Sequence, residues 1–239
     1  MGGITIILIW FTAMLTVASV ASMLGKRYGA VFPITAMATL IVIANIVASK
    51  IVTFGPLTVS AGVIAFSTTF FITDILSEVW GKRTAQKAVW VGFFANLILV
   101  LTIFIAIKWP AADFSLEYAE KFSEVLGPAP RIVLASMIAY LISQNHDVWA
   151  FHFWKKVTRD KFLWLRNNFS TVISQLLDIV IFTTIAFYGV FETHELIGII
   201  TGEYIVKVII ALIDTPFIYL VVQIVKKITP RQKVVEQKI

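Results

Sequence analysis

Two copies of one polar pattern stand inside apolar sequence. Ser143, Gln144, Asp147 and Phe151 spell S-Q-x-x-D-x-x-x-F, and Ser174, Gln175, Asp178 and Phe182 spell it again. Side chains at i and i+3 share a helix face, so each copy presents an amide beside a carboxylate. Gln offers donors and an acceptor, whereas an ionised Asp only accepts. Such a set can read the edge of a planar heterocycle rich in N–H groups, with an aromatic ring stacked on its face. The same groups could instead bond one helix to another inside a bilayer. Their duplication, with four strong polar groups, favours a site. His146 adjoins Asp147 but points about 100° away around a helix, which argues against a His–Asp dyad.

Further polar residues interrupt apolar stretches. Asp74 and Glu78 are spaced i, i+4 in Thr73-Asp74-Ile75-Leu76-Ser77-Glu78-Val79-Trp80-Gly81-Lys82-Arg83. Glu78 could bind a ligand or pair with Lys82 one turn on, with Trp80 as an interfacial belt residue. Asn45 lies deep in its segment, while Lys50 can snorkel to a surface. Glu203 and Lys207, at i, i+4, suggest an internal ion pair. Asp214-Thr215-Pro216 puts a helix-loosening Pro216 beside an acid. On lenient insertion scales Asp74, Asp147, Asp178, Glu203 and Asp214 would together cost roughly 10 kcal/mol facing lipid. That equals the stability of a typical domain, so these groups must face a bundle interior.

The elements that carry them are hydrophobic helices. The chain has 239 residues, 59% hydrophobic and only 14% charged, with a mean hydropathy of +0.88. Crossing the hydrocarbon core takes about 20 apolar residues as helix, the form that satisfies its own backbone. Seven spans are expected: 4–24, 31–53, 57–77, 88–109, 132–151, 170–191 and 196–225. The third follows a Phe54-Gly55-Pro56 break and is rich in Thr and Ser, so a re-entrant segment is its alternative. The first lacks a basic leader and a small-residue cleavage site, and reads as a retained span.

Most of the 20 Lys and Arg fall after spans one, three and five and in the tail. The positive-inside rule then puts the N-terminus outside and the C-terminus in the cytosol. The net charge of +6 is therefore topological, and nucleic acid is not needed to explain it. The reading is an all-α membrane protein with one domain, residues 1–228, and a polar, disordered cytosolic tail, 229–239. Phe114–Leu126 reads as a short amphipathic helix on the outer interface, and Gly127-Pro128-Ala129-Pro130 as a rigid turn. No cysteine is present, no metal site is expected, and no cofactor is implied. Walker A, H-E-x-x-H and G-x-S-x-G patterns are all missing, which argues against an enzyme.

Several of these motifs, in order, resemble the queuosine precursor transporter family, also called the vitamin uptake transporter family. They are Asn45 to Lys50, the Thr73 to Arg83 run, Ala135-Ser136, the first S-Q-x-x-D copy and Leu163-Trp164-Leu165-Arg166-Asn167-Asn168. Ser170-Thr171, the second copy and Asp214-Thr215-Pro216 complete the set, covering about residues 31–225. The resemblance implies uptake of a 7-deazaguanine such as queuine or its cyano or aminomethyl precursors. Asp147 and Asp178 would accept its N–H donors, and Gln144 and Gln175 would bridge the other edge. Phe70, Phe71, Trp149 or Phe182 would stack on the base, and Asp74 or Glu78 would meet an aminomethyl cation. Asn45 joins these binding candidates, while Asp214, Pro216, Glu203 and Lys207 are candidates for coupling or gating. Asn145-His146 departs from the apolar pair expected inside the first copy, so substrate preference could differ. A secondary transporter, alone or as a homo-oligomer, is the first expectation. A capture subunit of an energy-coupling-factor importer, with energising partner subunits, is the second. An intramembrane enzyme ranks last.

Overall fold

A computed structural model describes residues 3–47, 50–54, 57–127, 130–189 and 192–227. The described chain runs α1 (Gly3–Tyr28), α2 (Val31–Val47), β1 (Ile51–Phe54), β2 (Leu57–Ser60), α3 (Val63–Val79) and α4 (Lys82–Lys108). A 3-10 turn, Asp113–Ser115, leads to α5 (Leu116–Leu126), then α6 (Pro130–Val157), α7 (Leu163–Phe187) and α8 (Thr193–Lys227). Four stretches are long and apolar enough to cross a membrane: Thr5–Tyr28, Lys82–Lys108, Leu163–Ala186 and Thr193–Lys226. α2 is a shorter apolar helix.

The expected second and third spans are reshaped. α2 stops at Val47, and Ile51–Phe54 pairs antiparallel with Leu57–Ser60, Ile51 opposite Ser60 and Phe54 opposite Leu57. Ile51-Val52-Thr53-Phe54 is β-branched and aromatic, which favours a pleated strand over a helix. At 17 residues each, α2 and α3 rise about 26 Å, slightly less than a bilayer core of about 30 Å. The hairpin continues both, and such backbone is tolerated at depth where protein covers it. Val59 is buried in a cluster with Val63, Ile64, Val206 and Ile210, so α8 supplies part of that cover.

α3 is the central helix, with nearly all of its residues buried and contacts to α1, α2, α4, α6 and α8. Two of its hydroxyls are satisfied within the helix, since Thr68 and Thr73 donate back to the carbonyls of Ile64 and Thr69, each at 2.8 Å. α6 and α7 form the most extensively packed helix pair. The expected tail, 229–239, and the middle of the Gly127–Pro130 turn lie outside the described residues. α8 stays helical through Pro216.

Two turns demand glycine. Gly81 joins α3 to α4 at φ +84°, a left-handed conformation that a side chain resists. Gly62 lies where the hairpin closes onto α2, and a Cβ there would sit 2.5 Å from the Ala44 carbonyl oxygen. Gly62→Ala should therefore cost about 1–3 kcal/mol of stability, since a backbone oxygen cannot step aside. Gly198→Ala meets nothing within 4 Å and serves as control. Thermal unfolding in detergent should separate the two variants, and matching midpoints would refute the packing argument.

Candidate functional site

α3, α6, α7 and α8 bring most of the predicted polar residues into three buried clusters. The first lies at the end of the bundle that carries the basic α6–α7 connection. Glu78 on α3 is 6% exposed, and its carboxylate accepts from three cations on other elements. Arg166 Nη2 of α7 donates to Oε2 at 2.7 Å, Lys155 Nζ of α6 to the same oxygen at 3.1 Å, and Lys226 of α8 to Oε1. These partners stand where Lys82 was one alternative, because α3 ends at Val79 and Lys82 begins α4 beyond the Gly81 turn, out of i, i+4 register with Glu78. Arg166 also donates to the Lys161 carbonyl at 3.2 Å and lies 3.3 Å from Asp160. Those contacts hold a connection in which Arg159, Asp160 and Phe162 adopt positive φ. Phe151, the aromatic of the first motif copy, packs under the Arg166 guanidinium at 5.6 Å.

The second cluster contains the second motif copy. Lys207 Nζ of α8 donates to Asp178 Oδ2 at 3.1 Å, and Ser143 Oγ of α6 donates to Asp178 Oδ1 at 3.2 Å. Glu203 stands 3.8 Å from the same Nζ, so the expected i, i+4 pair exists but is the looser contact. The Phe66 ring lies 5.1 Å below the ammonium.

The third cluster has no such cation. Thr171 Oγ1 of α7 lies 3.1 Å from Asp74 Oδ2 and 3.4 Å from Asp147 Oδ1, joining α3 to α6. Asp74 and Asp147 stand against each other, with Ser170 and Ser174 beside Asp147. Asp214 of α8 is close enough for charge interaction with both acids, and Asn167 is its neighbour. Asp74 Oδ1, Asp147 Oδ2, Asp214 Oδ1, Gln175 Oε1 and Asn167 Oδ1 are buried without a hydrogen-bond partner.

The two motif copies therefore do not meet acid to acid at one depth. In the antiparallel pair each Asp faces the other copy's Ser, Asp178 with Ser143 and Asp147 with Ser174. That offsets the two acids by about one turn, roughly 6 Å. Gln144 is engaged by α3, donating from Nε2 to Thr69 Oγ1 at 2.8 Å and lying 2.9 Å from Thr73 Oγ1. Asn45 accepts from Ser136 Oγ at 3.0 Å and donates to the Ile41 carbonyl, which links α2 to α6.

Aromatic candidates divide sharply. Phe70 and Phe71 are buried, with Phe66 5.8 Å from Phe70, and Phe182 is half-buried. Trp149 is 52% exposed and stacks on Phe153 at 5.6 Å, on the outer face of α6, away from the clusters. Pro216 is exposed and Lys50 reaches the surface. His146 bonds Ser174 Oγ at 2.8 Å, an interhelical role.

A family model described as "Putative vitamin uptake transporter" matches residues 60–221, which contain all three clusters except Lys226. The chain belongs to that family. It is thus a multi-pass membrane transporter and not an enzyme. A "Probable queuosine precursor transporter" of Bacillus subtilis is 34% identical over 179 residues, covering 74% of this chain and 78% of the relative. A protein of the same description from Haemophilus influenzae is 28% identical over 130 residues, covering 53% and 51%. No solved structure matches the chain.

Several contacts in these clusters are not legible from spacing. Thr69 and Thr73 hold Gln144, Arg166 is buried rather than solvated, and Asn167 flanks Asp214. The Thr-x-x-x-Thr spacing on α3 was the available signal for the first. Removing one member of a buried ion pair costs about 3–5 kcal/mol, because it strands the other charge. Lys207→Met and Asp178→Asn should each lower the unfolding midpoint in detergent, while the double variant recovers much of the loss. Additive losses would show that the pair is not coupled.

Proposed function

We propose that this chain imports a queuosine precursor of the 7-deazaguanine class, bound among α3, α6, α7 and α8. The observation that carries this is the set of buried, unpartnered acceptors at Asp74, Asp147, Asp214 and Gln175. Each such oxygen left without a donor costs about 1–3 kcal/mol, and more when charged. A guanine-like edge supplies what they lack, a ring N–H and an exocyclic amine. The relatives from Bacillus subtilis and Haemophilus influenzae are described as probable queuosine precursor transporters, which agrees with that chemistry.

In this reading Asp74 and Asp147 accept the donor edge and Gln175 accepts a further N–H. Phe70 lies at the depth to offer a ring face. Gln144 and Asp178 hold helices in place through Thr69 and Lys207, and Asn45 does so through Ser136. Trp149, on the outer face, belongs to the lipid contact. The described helices other than α5 form one transmembrane domain, with the Glu78 end in the cytosol.

Uptake of labelled 7-deazaguanines into cells unable to make them tests the assignment. Asp147→Asn should reduce uptake about tenfold to a hundredfold at equal membrane abundance, the worth of a charge-assisted hydrogen bond. Asp178→Asn should act by lowering abundance through unpaired Lys207. Full uptake by Asp147→Asn would remove the acceptor cluster from the site. Abolition by a protonophore, with insensitivity to ATP depletion, is the outcome expected of a secondary transporter. The reverse pattern would favour a capture subunit.

A further inference from the structure

Formal charge separates the two halves of the duplicated motif. Asp178 is neutralised in direct contact by Lys207, and Glu78 by Arg166, Lys155 and Lys226. Among the described residues, Asp74, Asp147 and Asp214 have no Lys or Arg nitrogen within 4.0 Å. Arg166 acts on Asp74 only through space, since Glu78 holds its guanidinium. The interior thus has three acids and no contacting cation at one level.

A second observation is independent of those acids. Asn167 and Gln175 are each 1% exposed, and the carbonyl oxygen of each amide has no partner. Asn167 stands against Asp214. Gln175 lies one turn along α7 from Thr171, whose hydroxyl touches both Asp74 and Asp147. Every unpartnered atom in this set is an acceptor.

The same interior shows how it holds a primary ammonium. Lys207 Nζ sits on one carboxylate at 3.1 Å, a second at 3.8 Å and the Phe66 ring at 5.1 Å. Asp178 is occupied by that internal cation and cannot also serve a ligand's.

We propose that Asp214 extends the Asp74–Asp147 acceptor pair into a cation subsite, so that among 7-deazaguanines an ammonium-bearing base is preferred to an uncharged one. This rests on the reading of the chain as a deazaguanine importer, and names which members of that class fit. An aminomethyl group brings three N–H donors and a charge to a wall whose unpartnered atoms, at Asp74, Asp147, Asp214, Asn167 and Gln175, are all acceptors. A nitrile brings another acceptor, leaving the Asp214 carboxylate unpaired and facing a lone pair.

Initial uptake rates of the aminomethyl and the cyano base, measured at one external pH over a range of concentrations, test this. The apparent KM for the aminomethyl base should be lower by about tenfold or more, the scale of one desolvated charge pair. Asp214→Asn should move that ratio towards one. If this variant fails to reach the membrane, ligand-induced thermal shifts of purified wild-type protein with each base decide instead, the larger shift being expected with the aminomethyl base. Equal or reversed preference in the wild type overturns the proposal, as does a ratio that Asp214→Asn leaves intact. Transport of neither base would sink the import reading itself, which is a different outcome from transport of both without preference.

Discussion

One buried carboxylate, that of Glu78, fastens the ends of four helices. It lies on α3 and takes cations from α6, α7 and α8. The desolvation cost of Glu78 and Arg166 offsets much of their attraction, so the network is a weak argument for net stability. What it fixes is register. A slip of α3 by one turn would leave Glu78 and Arg166 buried apart, at about 3–5 kcal/mol. Asp74 lies one turn from Glu78 on the same face, so a fixed Glu78 also fixes the height at which Asp74 meets Thr171 and Asp147. Positive φ at Arg159, Asp160 and Phe162 is sustained by the same contacts, because Arg166 and Lys155 both reach Asp160.

The duplicated motif is symmetric in sequence and asymmetric in chemistry. Antiparallel packing of α6 on α7 matches each Asp with the other copy's Ser, so the hairpin alone would treat the two acids alike. α8 breaks that equivalence. It places Lys207 on Asp178 and Asp214 near Asp147, two turns apart along one face of one helix. The result is one acid used to hold α7 to α8 and another left beside acceptors that have no partner.

How much of this could be read from residues alone follows from what hydrocarbon forbids. The interior placement of Asp74, Asp147, Asp178 and Asp214 was legible, since lipid will not take them. Helical phase also held more than was drawn from it. Trp149 is two positions from inward-facing Asp147, about 200° around the helix, so it must point outward. The hairpin at Ile51–Ser60 was hidden because an apolar run has one hydropathy whether it folds as helix or strand. The Lys207–Asp178 and Arg166–Glu78 pairs were hidden for another reason. Local spacing points only to near neighbours in the chain, Glu203 for Lys207 and Lys82 for Glu78, and Lys82 falls on α4 beyond the turn, whereas burial selects the partner that geometry brings closest.

The distribution of ion pairs also ranks the two ends of the bundle by the cost of parting them. Separating helices at the Glu78 end breaks three described ion pairs on one carboxylate. At the opposite end the described Lys–carboxylate pair is local, Lys121 with Glu117 within α5, and His194 contacts Glu192 two residues before it. Spreading the helices there leaves those pairs intact. Between the two ends, Lys207 on Asp178 penalises any sliding of α8 along α7 by stranding two buried charges. A tilt of α7 and α8 together preserves it. Counted by described ion pairs alone, parting the helices at the end away from Glu78 costs less than parting them at the Glu78 end.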